Sequence, residues 1–268
     1  MDPRALRLLS DEDSELRAML VVAHPDDETL GAGALLQRLR GATIVHVTDG
    51  APRDPALWNA PADDREAYAA ARRVELAHAL ALVDHMPQLR TLGAVDQEAV
   101  DRLVVLARDL ATTLDELRPD VVLTHPYEGG HPDHDAAAVV VQAAIALRAR
   151  AGAKPPALLE LAYYHAQGGT PVYGRFVPDA ARPEHAVTLA PDVRARKQRM
   201  LECFTTQRDV LDLFPTDVER YREGKVHDFS VPPHAGVLHY ELMKWANGTS
   251  WRARVRAAAD ELGLTSEL

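Results

Sequence analysis

The residues that could do chemistry sit in two short loops. The first reads Ala23-His24-Pro25-Asp26-Asp27-Glu28 and directly follows a short apolar run, Met19 to Ala23. Pro25 fixes its own φ and biases His24 away from helix. His24 and Asp27, three apart around a tight turn, can point into one space, with Asp26 between them. Two adjacent carboxylates beside an imidazole are poor material for a folding loop. They are good material for a metal ligand plus a general base. The second loop reads Thr124-His125-Pro126-Tyr127-Glu128-Gly129-Gly130-His131-Pro132-Asp133-His134 and follows the apolar run Val121 to Thr124. His131 and His134 repeat the i, i+3 spacing, and Gly129-Gly130 lets the backbone turn tightly. Together the loops can offer two imidazoles and one carboxylate to a single ion. Three protein ligands and a water make up the usual catalytic zinc site. The same donor set also describes non-haem Fe(II), so the ligand set alone leaves Zn²⁺ and Fe²⁺ both open. The competing reading is local: Asp26 or Asp27 could cap a helix from Glu28, and Asp133 the helix that follows it.

The elements that must position these loops are legible as apolar runs and helical spacing. Strands are expected at Met19–Ala23, at Thr43–Thr48 (ended by Asp49-Gly50), at Val121–Thr124, Leu158–Tyr164 and Ala186–Leu189. Helices are expected at 28–40, 64–83, 97–117, 133–150 and 192–207, with a Pro-rich loop at 51–63 and a polar lead-in at 1–16. Strands alternating with helices predict a three-layer, Rossmann-like α/β fold with a mostly parallel sheet and helices on both faces. One domain over 1–268 is expected, with a core of about 18–207 and a C-terminal extension over about 208–268. In such a sheet ligands bind beyond the carboxyl ends of the strands, where strand order reverses. Both loops lie there. No glycine-rich dinucleotide or P-loop motif follows any strand.

Composition narrows the function classes. The chain has 268 residues, 30 Lys plus Arg against 40 Asp plus Glu, and a formal net charge of -10. That balance argues against nucleic acid or an anionic membrane as partner. No apolar run approaches the roughly 18 residues of a membrane span. The N-terminus is acidic where a signal peptide would be apolar, so a cytoplasmic location is expected. A single cysteine, Cys203, excludes an intramolecular disulfide and a Cys-rich metal site, and is expected as a small buried hydrophobe. Against that one Cys stand 12 His.

The string AHPDDE at 23–28 with HPDH at 131–134 resembles the LmbE-like, PIG-L family of zinc-dependent N-acetylglucosaminyl deacetylases. The resemblance is strongest over 20–50 and 119–140 and extends to about 207, where Lys197 and Gln207 sit in a helix similar to one late in the family. It implies His24, Asp27 and His134 as zinc ligands and Asp26 as general base. His131 would be the imidazole that stabilises the oxyanion or protonates the leaving amine, and Asp133 the carboxylate that orients it. In well-known members a tyrosine lies two residues before the first His of HPDH. That position is Gly129 here, and Tyr127 is the candidate substitute. Arg72, in an R-x-x-E pattern with Glu75, is a candidate substrate contact, or an i, i+3 salt bridge. Asp96 resembles a family acid near the sugar, or is a helix cap. Arg53 could line the mouth of the site or be solvated. His125 is a candidate to support the metal ligands. His234 is a candidate to approach from the C-terminal region. His46, His78, His85, His165, His185, His227 and His239 show no motif.

The resemblance implies a deacetylase of an N-acetylglucosamine-like sugar or conjugate, with a homo-oligomer left open. Two readings compete: an amidase cleaving a larger acyl or thiol conjugate at the same zinc, and a non-catalytic metal- or sugar-binding protein. The loops at 51–63 and 165–183 should carry any difference in substrate.

Overall fold

β1 (Ala18–Val22) lies in the interior of the sheet, and all of its side chains are buried, as suits a strand covered on both faces. The computed structural model describes residues 1–10 and 15–268. Before β1, α1 (Pro3–Leu9) takes up seven residues of the expected polar lead-in; Asp2 caps it and Ala5 and Leu8 are buried. Residues 11–14 of that lead-in lie outside the described residues. After β1 come α2 (Asp27–Leu36), β2 (Thr43–Pro52), α3 (Arg65–Leu80), β3 (Gln88–Asp96), α4 (Leu103–Leu117), β4 (Val121–Thr124) and α5 (Pro132–Arg150). The chain continues through β5 (Ala157–Leu161), β6 (Tyr164–Gln167), β7 (Thr170–Tyr173), β8 (His185–Thr188), α6 (Pro191–Glu202) and α7 (Arg208–Leu211). It ends with β9 (Val218–Glu223), α8 (His239–Leu242) and α9 (Gly248–Leu262).

The main sheet has the order β3-β2-β1-β4-β5-β9-β8, and β6 and β7 form a separate hairpin. β1 to β5 pair in parallel, while β9 runs antiparallel to both β5 and β8. Helices α4, α5 and α9 bury one face of the sheet and α2, α3 and α6 the other, so the layers are those expected. Strand order reverses between β1 and β4. The two chemical loops leave the carboxyl ends of these two strands, side by side, because Val21 pairs with Thr124.

β2, β3 and β9 differ from expectation for physical reasons. β2 does not stop at Asp49-Gly50; it runs on to Pro52 through two register shifts, with Gly50 at φ 66°. β3 is an edge strand whose first residues are exposed, so it carries neither an apolar run nor alternation to betray it. β9 sits inside the sheet, although its sequence, VERYRE, is polar.

Glu219 on β9 explains that polarity. α2 departs from helical geometry at Ala32 (φ -144°). The two groups that a regular helix would pair across this point, Ala34 N–H and Leu30 C=O, both engage an ion pair instead. Ala34 N donates to Glu219 Oε1 at 2.7 Å, and Lys197 Nζ donates to Leu30 O and to Glu219 Oε1, each at 2.8 Å. Lys197 therefore joins α6, α2 and β9 rather than the cleft. Removing one member of a buried pair leaves the other charged and unpaired, at a cost of about 3–5 kcal/mol. Lys197→Met should lower stability by that amount in urea unfolding, through the midpoint rather than the slope.

Candidate active site

Asp27 stands at the middle of the site. It opens α2, but its Oδ2 turns back to accept the His24 backbone N–H at 2.8 Å. His24 Nδ1 lies 3.3 Å from Oδ2, and His134 Nε2 lies 3.3 Å from Oδ1. His125 Nε2 accepts the Ala23 backbone N–H at 2.9 Å and also lies 3.4 Å from Asp27 Oδ2. Burial alone would raise the Asp27 carboxyl, but His134 and His125 hold it well below the carboxylate range. Burial pushes His125 down to about 3, so it is neutral.

The far nitrogen of His24, Nε2, faces two more carboxylates, Asp96 at 3.3 Å and Asp133 at 3.4 Å. Carboxylates accept, so Asp96 and Asp133 hold a proton on Nε2; Asp27 faces Nδ1 in the same way, and against the effect of burial these carboxylates hold the ring well above its usual pKa, so that Nδ1 would present a lone pair only to an ion bound there. This is how supporting groups set the tautomer of a metal-binding imidazole. Asp133 is thus placed differently from expectation. Its carboxylate serves His24 and accepts the backbone N–H groups of Gln97 and Ala99 at 2.6 and 3.2 Å. Its contact with His131 is through its own backbone N–H, which donates to His131 Nδ1 at 3.1 Å. His131 thereby caps α5. Its Nε2 lies 2.7 Å from the Gln97 side-chain amide. Burial, with His24 and His134 adding repulsion, holds the ring well below its usual pKa, so it is neutral rather than cationic here.

The donors fit a first-row divalent ion. Ligand atoms held tetrahedrally at about 2.1 Å from a zinc ion lie ~3.4 Å apart; His24 is at such a distance from one Asp27 oxygen and His134 from the other. Nitrogen and oxygen donors without a thiolate suit Zn²⁺ or Fe²⁺. Three overlapping groups are close enough to hold an ion: His24 with His131 and His134; His24 with Asp96, His131 and Asp133; and Asp27 with His125 and His134.

Asp26 does not cap α2, although it occupies the cap position. Its backbone is held at φ 140°, a conformation that costs a non-glycine residue of order 1–3 kcal/mol. The surroundings impose it. Glu28 Oε2 accepts the Asp26 N–H at 3.1 Å, and Arg72 on α3 donates to Pro25 O at 2.7 Å and Asp26 Oδ2 at 3.1 Å. Among the described residues no hydrogen bond engages the other Asp26 oxygen. Burial raises this carboxyl against the pull of Arg72. Arg72 and Glu75 do not pair with each other: Glu75 instead accepts from Thr205 and Thr206. Asp26 and Arg72 line a cavity of about 270 Å³ together with His24, Asp27, Asp96, His131, His134 and Gln207.

Comparison with known proteins follows the same residues. The profile of a family described as PIG-L, GlcNAc-PI de-N-acetylase, matches residues 19–145. The 1D-myo-inositol 2-acetamido-2-deoxy-alpha-D-glucopyranoside deacetylase of Thermobifida fusca strain YX is 30% identical over 229 residues, spanning 75% of this chain and 73% of that protein. The chain belongs to the PIG-L family. The like-named protein of Tsukamurella paurometabola is 33% identical over 172 residues, 51% of this chain and 57% of its own length. The chain spans little more than half the length of several such curated relatives. In fold it is similar to N,N'-diacetylchitobiose deacetylase from Pyrococcus horikoshii, with a TM-score of 0.53 at 18% identity over 78% of this chain and 84% of that one.

Several expected contacts lie elsewhere in this member of the PIG-L family. Tyr127 points into the core, donates to Val231 O at 2.9 Å, packs against Phe229 and Trp251, and does not line the cavity. Arg53 is exposed and paired with Glu98 at 2.6 Å, also outside the lining. His234 is half-buried away from the cleft, near His165. Cys203 is partly exposed rather than core. Of the two loops expected to tune substrate, 51–63 reaches the cavity through Pro52, Ala56, Leu57 and Asn59, while 165–183 does not.

What the sequence reading missed is the C-terminal arm. Gly129 sits at φ 68°, and a Cβ there would meet the Leu238 side chain at 2.8 Å. The Gly129 carbonyl accepts the His239 N–H at 2.9 Å, and His239 Nδ1 lies 3.1 Å from Gly130 O. These contacts dock α8 and bring the Trp245 ring to 5.1 Å from His131. A side chain at 129 is therefore excluded by the arm. Gly129→Ala should cost about 1–3 kcal/mol, from positive φ and overpacking. It should also shift tryptophan fluorescence as Trp245 is displaced. An unchanged melting temperature and spectrum would refute this docking.

Proposed function

We propose that this chain is a metal-dependent hydrolase that removes the N-acetyl group from an N-acetylglucosamine-like sugar or sugar conjugate. The observation that carries the reading is Asp26, a buried carboxylate held in a costly backbone conformation, excluded from helix capping, and placed beside an Asp27–imidazole cluster inside a cavity. Family membership supports it, as does the deacetylase activity for which the relatives are named.

His24, Asp27 and His134 would hold Zn²⁺, or Fe²⁺ with the same donors. Bound there, the ion would supply a water of lowered pKa and a Lewis acid for the acetyl carbonyl. The remaining work belongs to the protein. Asp26, steadied by Arg72, accepts a proton from the attacking water. That proton then becomes available to the leaving nitrogen, without which an amide does not depart. His131, neutral with its proton on Nε2, donates a hydrogen bond to the carbonyl oxygen as charge develops on it. Asp133 and Asp96 keep His24 in the tautomer that ligation needs.

Two substitutions separate the roles. Asp26→Ala should keep its metal, measured as bound ion per protein, and lose acetate release by at least about 100-fold. His134→Ala should lose both. Full turnover in Asp26→Ala would sink the reading. So would a metal-loaded protein that releases acetate from no N-acetylated sugar.

A further inference from the structure

The cavity has two different surfaces. Its floor is charged, built from His24, Asp26, Asp27, Asp96, His131 and His134, while much of its wall is apolar: Leu57, Val210, Leu211, Phe214, Met243 and Trp245. Of these wall residues Leu211 and Phe214 are buried. Val210 and Met243 are 38% and 48% exposed, which leaves apolar surface at the mouth open to water. Val210 belongs to α7. Met243 and Trp245 belong to the arm that follows α8, and the Trp245 N–H donates to Tyr240 O at 2.9 Å, which fixes that turn. The apolar wall is thus continuous with the reacting floor and carried by packed elements.

Charge decides what the wall can accept. Arg72 is the one cationic side chain in the lining, and it is 2% exposed and committed to Asp26 and Pro25. Arg53 pairs with Glu98, and Arg65 pairs with Asp49, both outside the lining. Among the described lining residues no other Arg or Lys faces the floor, where Asp26, Asp27 and Asp96 lie in a chain of net charge -10; the exposed Lys244, between Met243 and Trp245, is the cation nearest the wall.

We propose that the site takes an N-acetylated sugar bearing an uncharged, apolar substituent, an aryl or alkyl group, which seats against Val210, Leu211, Phe214, Met243 and Trp245. This subsite rests on the deacetylase reading for the identity of the sugar, not for the preference at the wall. Apolar contact of one methylene or more in a fitted pocket discriminates by about tenfold to a few hundredfold.

The test uses three probes, the methyl, phenyl and 1-phosphate glycosides of N-acetylglucosamine. Their binding to the metal-loaded protein is measured by calorimetry, with acetate release followed in parallel. The phenyl glycoside should bind at least about tenfold tighter than the methyl glycoside, and the phosphate at least about tenfold more weakly. In Met243→Asp, and separately in Val210→Asp, the phenyl-to-methyl ratio should fall toward one. Because each ratio is taken within one protein preparation, incomplete folding or metal loading cancels. A ratio near one in the unaltered protein, or tighter binding of the phosphate, would overturn the proposal. A phenyl preference without acetate release from any probe would keep the apolar subsite and remove the deacetylase reading.

Discussion

The site depends on one carboxylate being turned inward. Asp27 begins α2 and could have spent its side chain on the helix end. Instead it accepts the backbone N–H of His24 and faces three imidazoles. That choice closes the turn between β1 and α2 and forces Asp26 to φ 140°. Glu28 and Arg72 then hold the strained residue from either side of the turn. The strain, the ligand cluster and the free oxygen of Asp26 follow from the same local decision.

Much of this was legible because it is local. AHPDDE follows a continuous apolar run, so the strand, the turn and the placement of His24, Asp26 and Asp27 can be read from neighbouring residues. The loop before α5 reads in the same way. What could not be read is made by contacts across the sequence. Asp133 lies two residues from His131, yet its carboxylate serves His24, on another strand's loop, because Gln97 and Ala99 supply backbone donors that fix it there. Tyr127 looked like a substitute donor by spacing alone, but the aromatic core formed with Phe229 and Trp251 claims it. Arg53 and Arg72 looked alike as cations near a mouth. One is solvated and the other is buried to brace Asp26.

Polar sequence hid structural residues for the opposite reason. Lys197 and Glu219 are charged and nearly fully buried, and they serve a break in α2. Glu128, in the same loop as His131, accepts from Arg222 at 3.0 Å, and Arg222 also reaches Glu160 at 2.8 Å. Glu160 in turn lies 2.6 Å from His227. A chain of buried charges thus ties the second loop to β5 and β9. Hydrophobic patterning cannot announce such pairs, since each partner is separately a surface residue by type.

The acidity of the chain acquires a local meaning from this geometry. Asp26, Asp27, Asp96 and Asp133 crowd one buried volume around His24, and Arg72 is the single guanidinium set among them. Buried carboxylates are costly unless opposed by positive charge, so the arrangement favours a cation at its centre. For the substituted sugar proposed above, Leu211, Phe214, Met243 and Trp245 would supply contacts other than charge. The demand of the floor for a cation comes from its carboxylates, while the apolar wall is a separate contribution of α7 and the arm after α8, brought to the same cavity by packing.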